Sequence, residues 1–189
     1  ATALMADGPQ NLLDAMTVAS APMARGVVVV CAGTVHCARD VRKQHTYRLD
    51  AFSSGDAGPV AHVEDGQVRA LRDWPVPDAG ASTMLEKVIE AGAWPRVEIV
   101  MSHAGAGGAL VEALVAQEVD GLVVAGTGNG TVHNDMMTAL LAAVGQEVPV
   151  VRTTRCAEGQ VIAHASDVLP CSALSPAKAR IDMMLSLLA

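Results

Sequence analysis

Over 189 residues the chain is 51% hydrophobic and carries a formal net charge of −7. That apolar content excludes a disordered chain, and the acidic balance argues against a nucleic-acid partner, whose phosphates need a basic face. No apolar run reaches the roughly 18 residues of a membrane span, so no membrane partner is expected.

Pro9 opens a predicted helix running to about residue 23, with Asp7 near its start and Leu12, Leu13, Ala15, Met16 and Val18 on one side. The run Gly26-Val27-Val28-Val29-Val30-Cys31 reads as a strand. Residues 53–73 read as hairpin-like, with turn signals at Ser53-Ser54-Gly55-Asp56 and Glu64-Asp65-Gly66. Residues 72–95 read as a linker punctuated by Pro75, Pro77 and Pro95, with a short helix over 83–91. Beyond it, strands at 97–101, 121–125 and 148–151 alternate with helices at 108–117 and 132–144. Ser175 is placed to cap a last helix with Pro176 at its first position. Ile181, Met184, Leu185 and Leu188 recur there at helical spacing. Continuous apolar strands alternating with helices predict an α/β fold with a parallel sheet covered on both faces. Trp74, Trp94, Tyr47 and Phe52 are the only aromatics, so the core has to be aliphatic.

Cys31, Cys37, Cys156 and Cys171 show no C-x-x-C spacing, and the six histidines show no H-x-x-x-H pair. No metal site is expected. The cysteines read as small buried hydrophobes. Free thiols lean towards a reducing cytoplasm, with a periplasmic home left open.

Three places could carry chemistry. In a parallel sheet, ligands bind beyond the carboxyl ends of strands. The turn Ala125-Gly126-Thr127-Gly128-Asn129-Gly130-Thr131 lies at such an end, and a helix follows it. Its exposed N–H groups would suit a carboxylate or phosphate, or the glycines simply serve a tight turn. The turn departs from the dinucleotide fingerprint because Thr131 stands where a glycine is needed. His103, in Ser102-His103-Ala104-Gly105, reads more readily as structural than as a base. Lys43, in Asp40-Val41-Arg42-Lys43, is either part of a solvated face or a proton-handling group. In the second case a buried ammonium would need a carboxylate or hydroxyl partner.

Taken in order, these segments resemble the bacterial-type L-asparaginase/glutaminase family. Ala6-Asp7-Gly8-Pro9-Gln10-Asn11-Leu12 is similar to its S-A-D-G-P-x-N-L segment, and Asp40-Val41-Arg42-Lys43 to its D-V-T-K motif. Asp120-Gly121-Leu122-Val123-Val124-Ala125-Gly126-Thr127-Gly128-Asn129-Gly130 is similar to D-G-(I/L)-V-x-x-G-x-G-N-G. Val151-Arg152-Thr153-Thr154-Arg155 resembles V-R-S-S-R, and Leu174-Ser175-Pro176-Ala177-Lys178-Ala179-Arg180 resembles L-x-P-x-K-A-R.

The resemblance implies a two-domain α/β fold and a homotetramer built as a dimer of intimate dimers. It implies hydrolysis of asparagine to aspartate and ammonia, with glutamine as the second candidate amide, without metal or cofactor. A threonine attacks the amide, and a second threonine, an aspartate and a lysine support it. Lys43 matches that catalytic lysine. Asn129 and Thr131 match substrate contacts supplied by the neighbouring subunit. The partition implied is 1–71 for the end of an N-terminal domain, 72–95 for the linker, and 96–189 for a C-terminal domain with a small parallel sheet flanked by helices.

Departures bear on activity. The family's T-G-G-T-I and T-D-T-M segments, which carry the threonines, do not occur in these 189 residues. They are expected upstream of Ala1, leaving the N-terminal domain incomplete and the chain alone inactive. Thr131 stands where many periplasmic members carry asparagine, Ala32-Gly33 replaces an Asn-Asp pair, and the 155–174 segment lacks a glutamate-bearing loop. A non-catalytic amino-acid-binding or sensing module is the alternative reading.

Overall fold

The computed structural model describes residues 6–76 and 80–188, which form two compact units, Ala1–Ala79 and Gly80–Ala189. Pro77 of the expected linker lies outside the described residues.

In the first unit, helix α1 (Gly8–Ser20) starts with Pro9 in its first turn, where a missing N–H costs nothing. It ends at Ser20, short of the expected residue 23. Its Val18 packs with Val35, Cys37, Val60 and Ala61 in a small buried cluster. The sheet beneath is antiparallel, in the order β1-β2-β5-β6. Its strands are β1 (Val28–Cys31), β2 (Thr34–Cys37), β5 (Ala61–Glu64) and β6 (Gln67–Ala70). A separate two-stranded ribbon joins β3 (Arg42–Lys43) to β4 (Phe52–Ser53).

Two hairpins turn on two residues each. Asp65-Gly66, at φ 48° and 67°, is a signal legible in the sequence, since two-residue hairpins want both centres left-handed. Ala32-Gly33 does the same at φ 50° and 70°, but the left-handed region costs alanine about 1–2 kcal/mol, so the pair gave no turn signal. Strand β2 was missed for that reason. Asn11 Oδ1 holds the strained residue by accepting from Ala32 N at 2.9 Å.

In the second unit, helix α2 (Ala81–Glu90) buries none of its residues. Strands β7 (Val97–Met101), β8 (Gly121–Gly126) and β9 (Val150–Thr154) form a parallel sheet in that order, with β8 central and buried throughout. Side chains alternate across it, as strand geometry requires. Val100, Leu122, Val124 and Val150 pack against Val111 of α3 (Ala109–Ala116) and Met136, Ala139 and Leu140 of α4 (Asn134–Val144). Val97 and Val123 face Ala179 and Met184 of α5 (Pro176–Leu187) on the other side. The expected two-sided α/β layer is present in this unit.

Some details differ from expectation. The third strand begins and ends later than 148–151. Ser175 occupies the N-cap of α5 with extended backbone, but its side chain makes no capping hydrogen bond. Of the positions expected at helical spacing, Met184 is buried and Ile181 is 47% exposed, while Ala179 joins the buried seam. Cys31 and Cys37 are buried as expected, whereas Cys156 is exposed and Cys171 half-buried. No helix among the described residues is long and apolar enough to cross a membrane.

Candidate functional site

In the first unit the fold gathers residues from three sequence segments around Cys31. Asn11 Nδ2 donates to Asp7 Oδ2 at 3.1 Å and reaches Cys31 Sγ at 3.9 Å. The Cys31 thiol donates to Leu49 O at 3.4 Å. Burial pushes that thiol up, and the Asp7 and Asp50 carboxylates push the same way, against the opposing Lys43 charge. Asp7 and Asn11 of the first motif and the lysine of the second therefore all act on the Cys31 thiol. Sequence reading missed Asn11 as a bridge and Cys31 as its centre. Asn11 stood inside a motif, but its partner Ala32 lies 21 residues away.

Lys43 pairs across the ribbon with Phe52, and its Nζ lies 5.8 Å from the centre of the Phe52 ring. Such a cation–π contact is worth about 0.5–1 kcal/mol at an exposed site. Lys43 is exposed, so the buried ammonium considered from the sequence is not what this chain presents. The base of the ribbon is tied down by Arg72, whose Nη2 meets Asp40 Oδ2 at 2.6 Å.

His36 is buried, with Nδ1 2.8 Å from Ser54 Oγ. Burial lowers its pKa below the usual imidazole value, and the neighbouring His62 adds to that. As pH falls below about 6.5, the unfolded chain takes up this proton before the folded one does. Stability is therefore complete above that value and declines until the folded imidazole is protonated as well. Urea midpoints measured from pH 7.5 down to 5.5 should fall, and His36→Gln should flatten the decline. Equal slopes in both proteins would remove this assignment.

In the second unit the glycine turn closes on itself. Thr127 N donates to Thr131 O at 2.9 Å, and Thr131 N to Thr127 O at 2.7 Å. Gly128 and Gly130 take φ of 48° and 76°, conformations that suit glycine. Thr154 Oγ1 donates to Gly128 O at 2.6 Å. Arg152 Nη1 reaches the carbonyls of Asn129 and Gly130 at 3.5 and 3.4 Å. Buried Arg152 is neutralised by Asp167 at 2.5 Å. The His164 N–H bond and the Arg152 charge hold the Asp167 carboxyl below its usual range.

Asn129 and Thr131 fare differently. Asn129 Oδ1 accepts from Ile162 N at 2.7 Å and its Nδ2 donates to Ile162 O at 2.9 Å. Both ends of that amide are engaged by one backbone unit 33 residues away. Thr131 is exposed at the end of the turn. Helix α4 does not follow the turn directly. It starts at Asn134, and His133 caps it, with Nδ1 accepting from Asp135 N at 3.3 Å. The helix end is thus partly satisfied by the protein itself. Ser102 is buried, its Oγ accepting from His133 N at 3.0 Å. His103 Nδ1 lies 2.9 Å from the Ala104 carbonyl and the residue is exposed.

Two family models match this chain. "Asparaginase, N-terminal" covers residues 1–76 and "Glutaminase/Asparaginase C-terminal domain" covers residues 96–189. The chain belongs to the asparaginase/glutaminase family. It is 32% identical to L-asparaginase 2 of Escherichia coli over 98% of its own length and 55% of that protein's. It is 33% identical to L-asparaginase 2 of Bacillus subtilis, covering 98% of this chain and 50% of the relative. A glutamyl-tRNA(Gln) amidotransferase subunit of Pyrococcus furiosus is 29% identical over 94% of this chain and 43% of its own length. The crystal structure of a probable cytoplasmic L-asparaginase from Campylobacter jejuni matches with a TM-score of 0.86 at 31% identity, covering 98% of this chain and 61% of that one. The family member described here thus spans about half the length of the curated relatives it matches.

Proposed function

We propose that this chain forms part of an amidohydrolase that releases ammonia from the side-chain amide of asparagine, with glutamine as the competing substrate. The observation that carries the reading is the ordered set of family segments, from Asp7 to Arg180, within a chain that both family models match. In this reading a threonine hydroxyl attacks the amide carbon, ammonia leaves, and water cleaves the resulting ester. Lys43 is the catalytic lysine that eases proton transfer from the threonine. Thr131 offers its hydroxyl to the substrate of a neighbouring subunit in a tetramer. Asn129, whose amide is engaged by Ile162, shapes the turn that presents Thr131.

These residues do not contain the T-G-G-T-I or T-D-T-M contexts in which the family carries its threonines. The decisive assay is therefore ammonia release from asparagine and from glutamine by protein spanning the full length of its relatives. Release from asparagine is expected. Binding of asparagine without any turnover by folded, full-length protein would favour the sensing module instead.

A further inference from the structure

The ribbon that carries Lys43 holds a histidine whose role follows from hydrogen-bond polarity. His45 Nδ1 lies 3.1 Å from Tyr47 N and 3.0 Å from Arg48 N. Both partners are backbone N–H donors, so Nδ1 must be the acceptor and the ring proton sits on Nε2. One lone pair thus gathers two consecutive amides, the arrangement that an Asn or Asp side chain makes in a turn. The base of the loop is closed by Gln44 N and His45 N, which donate to Ala51 O at 2.7 and 3.2 Å. The same loop carries the Arg48–Asp50 ion pair and offers Leu49 O to the Cys31 thiol. The imidazole therefore fixes the Tyr47–Arg48 turn within the segment between Lys43 and its cross-strand partner Phe52.

We infer that His45 is a positioning residue for Lys43 and makes that position sensitive to pH. Unprotonated, it folds the 44–51 loop so that β3 and β4 pair and the Lys43 ammonium stays over Phe52. A proton on Nδ1 replaces the acceptor with a third N–H aimed at two others, and the cradle opens. The charged and titratable groups around this loop are Arg48 and Asp50 within it, Arg42 and Lys43 on β3, Cys31 from β1, and Asp7 beyond Cys31 at the start of α1. Asp50 is held low mainly by its hydrogen bond to Arg48. The consequence for catalysis rests on the proposed role of Lys43; the switch in the loop does not.

The test is residue-resolved amide hydrogen exchange on the 189-residue chain between pH 8 and 5, with the His45 ring nitrogens followed by NMR. The Tyr47 and Arg48 amides should be protected at the upper end and lose roughly two- to tenfold of that protection as Nδ1 gains its proton, the scale of one hydrogen bond. His45→Asn keeps an acceptor that does not titrate, so protection should persist at every pH. His45→Phe should lack it throughout. Protection that ignores the imidazole titration, an identical step in His45→Asn, or unprotected amides in the wild type at pH 8 would each overturn the inference. Turnover that survives Lys43→Met would instead remove the role of Lys43 and leave the exchange result standing.

Discussion

Replacing Lys43 by methionine in protein that carries the family's threonines is expected to lower turnover by roughly 10²–10⁴-fold, the usual contribution of a positioned proton-transfer group. Methionine keeps an unbranched apolar stem against Phe52 and removes only the ammonium. Because Lys43 is exposed, stability should fall by no more than about 1 kcal/mol, the value of the lost cation–π contact, so a loss of ammonia release would report chemistry rather than unfolding. A second readout needs no activity at all. The Lys43 charge is the main electrostatic influence that lowers the Cys31 thiol pKa, opposing burial and Asp7. Its removal should push that thiol further up and slow its alkylation at fixed pH. Turnover within a few-fold of wild type would end the assignment of Lys43 as the catalytic lysine. Unchanged alkylation would mean that the lysine does not act on Cys31.

Gly126→Ala should be the most damaging single-methyl change in the second unit. A Cβ built on Gly126 would stand 2.4 Å from Gly130 C, 2.6 Å from Gly130 O and 2.7 Å from Gly130 Cα. These are backbone atoms, so no rotamer relieves the collision. The turn can admit the methyl only by parting the reciprocal Thr127–Thr131 bonds and shifting Gly130 away from Arg152. Overpacking of this kind costs about 1–3 kcal/mol and more where backbone must move. A lower urea midpoint with an unchanged denaturant slope would show it. Gly107→Ala is the control, since nothing lies within 4 Å of the position its methyl would take and its φ is not left-handed. It should stay within about 0.5 kcal/mol of wild type. If the two variants unfold together, the turn is looser than its hydrogen bonds imply.

The second unit was legible because its signals are local. Strand β8 is a continuous apolar run with glycine at both ends, and a strand buried on both faces reads that way. Pro176 and the preceding Ser175 marked the start of α5 to the residue. The five segments that identify the family are contiguous stretches, so their order needs no coordinates. Where expectation slipped, a local rule met a tertiary one. Helical spacing selected Met184, which is buried, but also Ile181, which is exposed while Ala179 is buried, because close approach of α5 to Gly121 favours small or flexible side chains. A Cβ at Gly121 would stand 2.5 Å from Met183 Sδ.

By itself, then, the sequence determined the family, the parallel α/β layer and the candidate lysine with its glycine turn. Each is written in period, punctuation or contiguous motif, and each survives any particular packing. Only the tertiary structure decided what those residues touch. It tied the Asn129 amide to Ile162, neutralised buried Arg152 with Asp167, and joined Asn11 to Cys31 and Cys31 to Leu49 in the loop that follows Lys43. It also placed Ala32 in a left-handed turn that its side chain disfavours. These pairings join residues 15–33 positions apart, and hydrogen-bond satisfaction of buried or strained groups is set by whatever the fold brings within about 3 Å, a distance that no local pattern encodes.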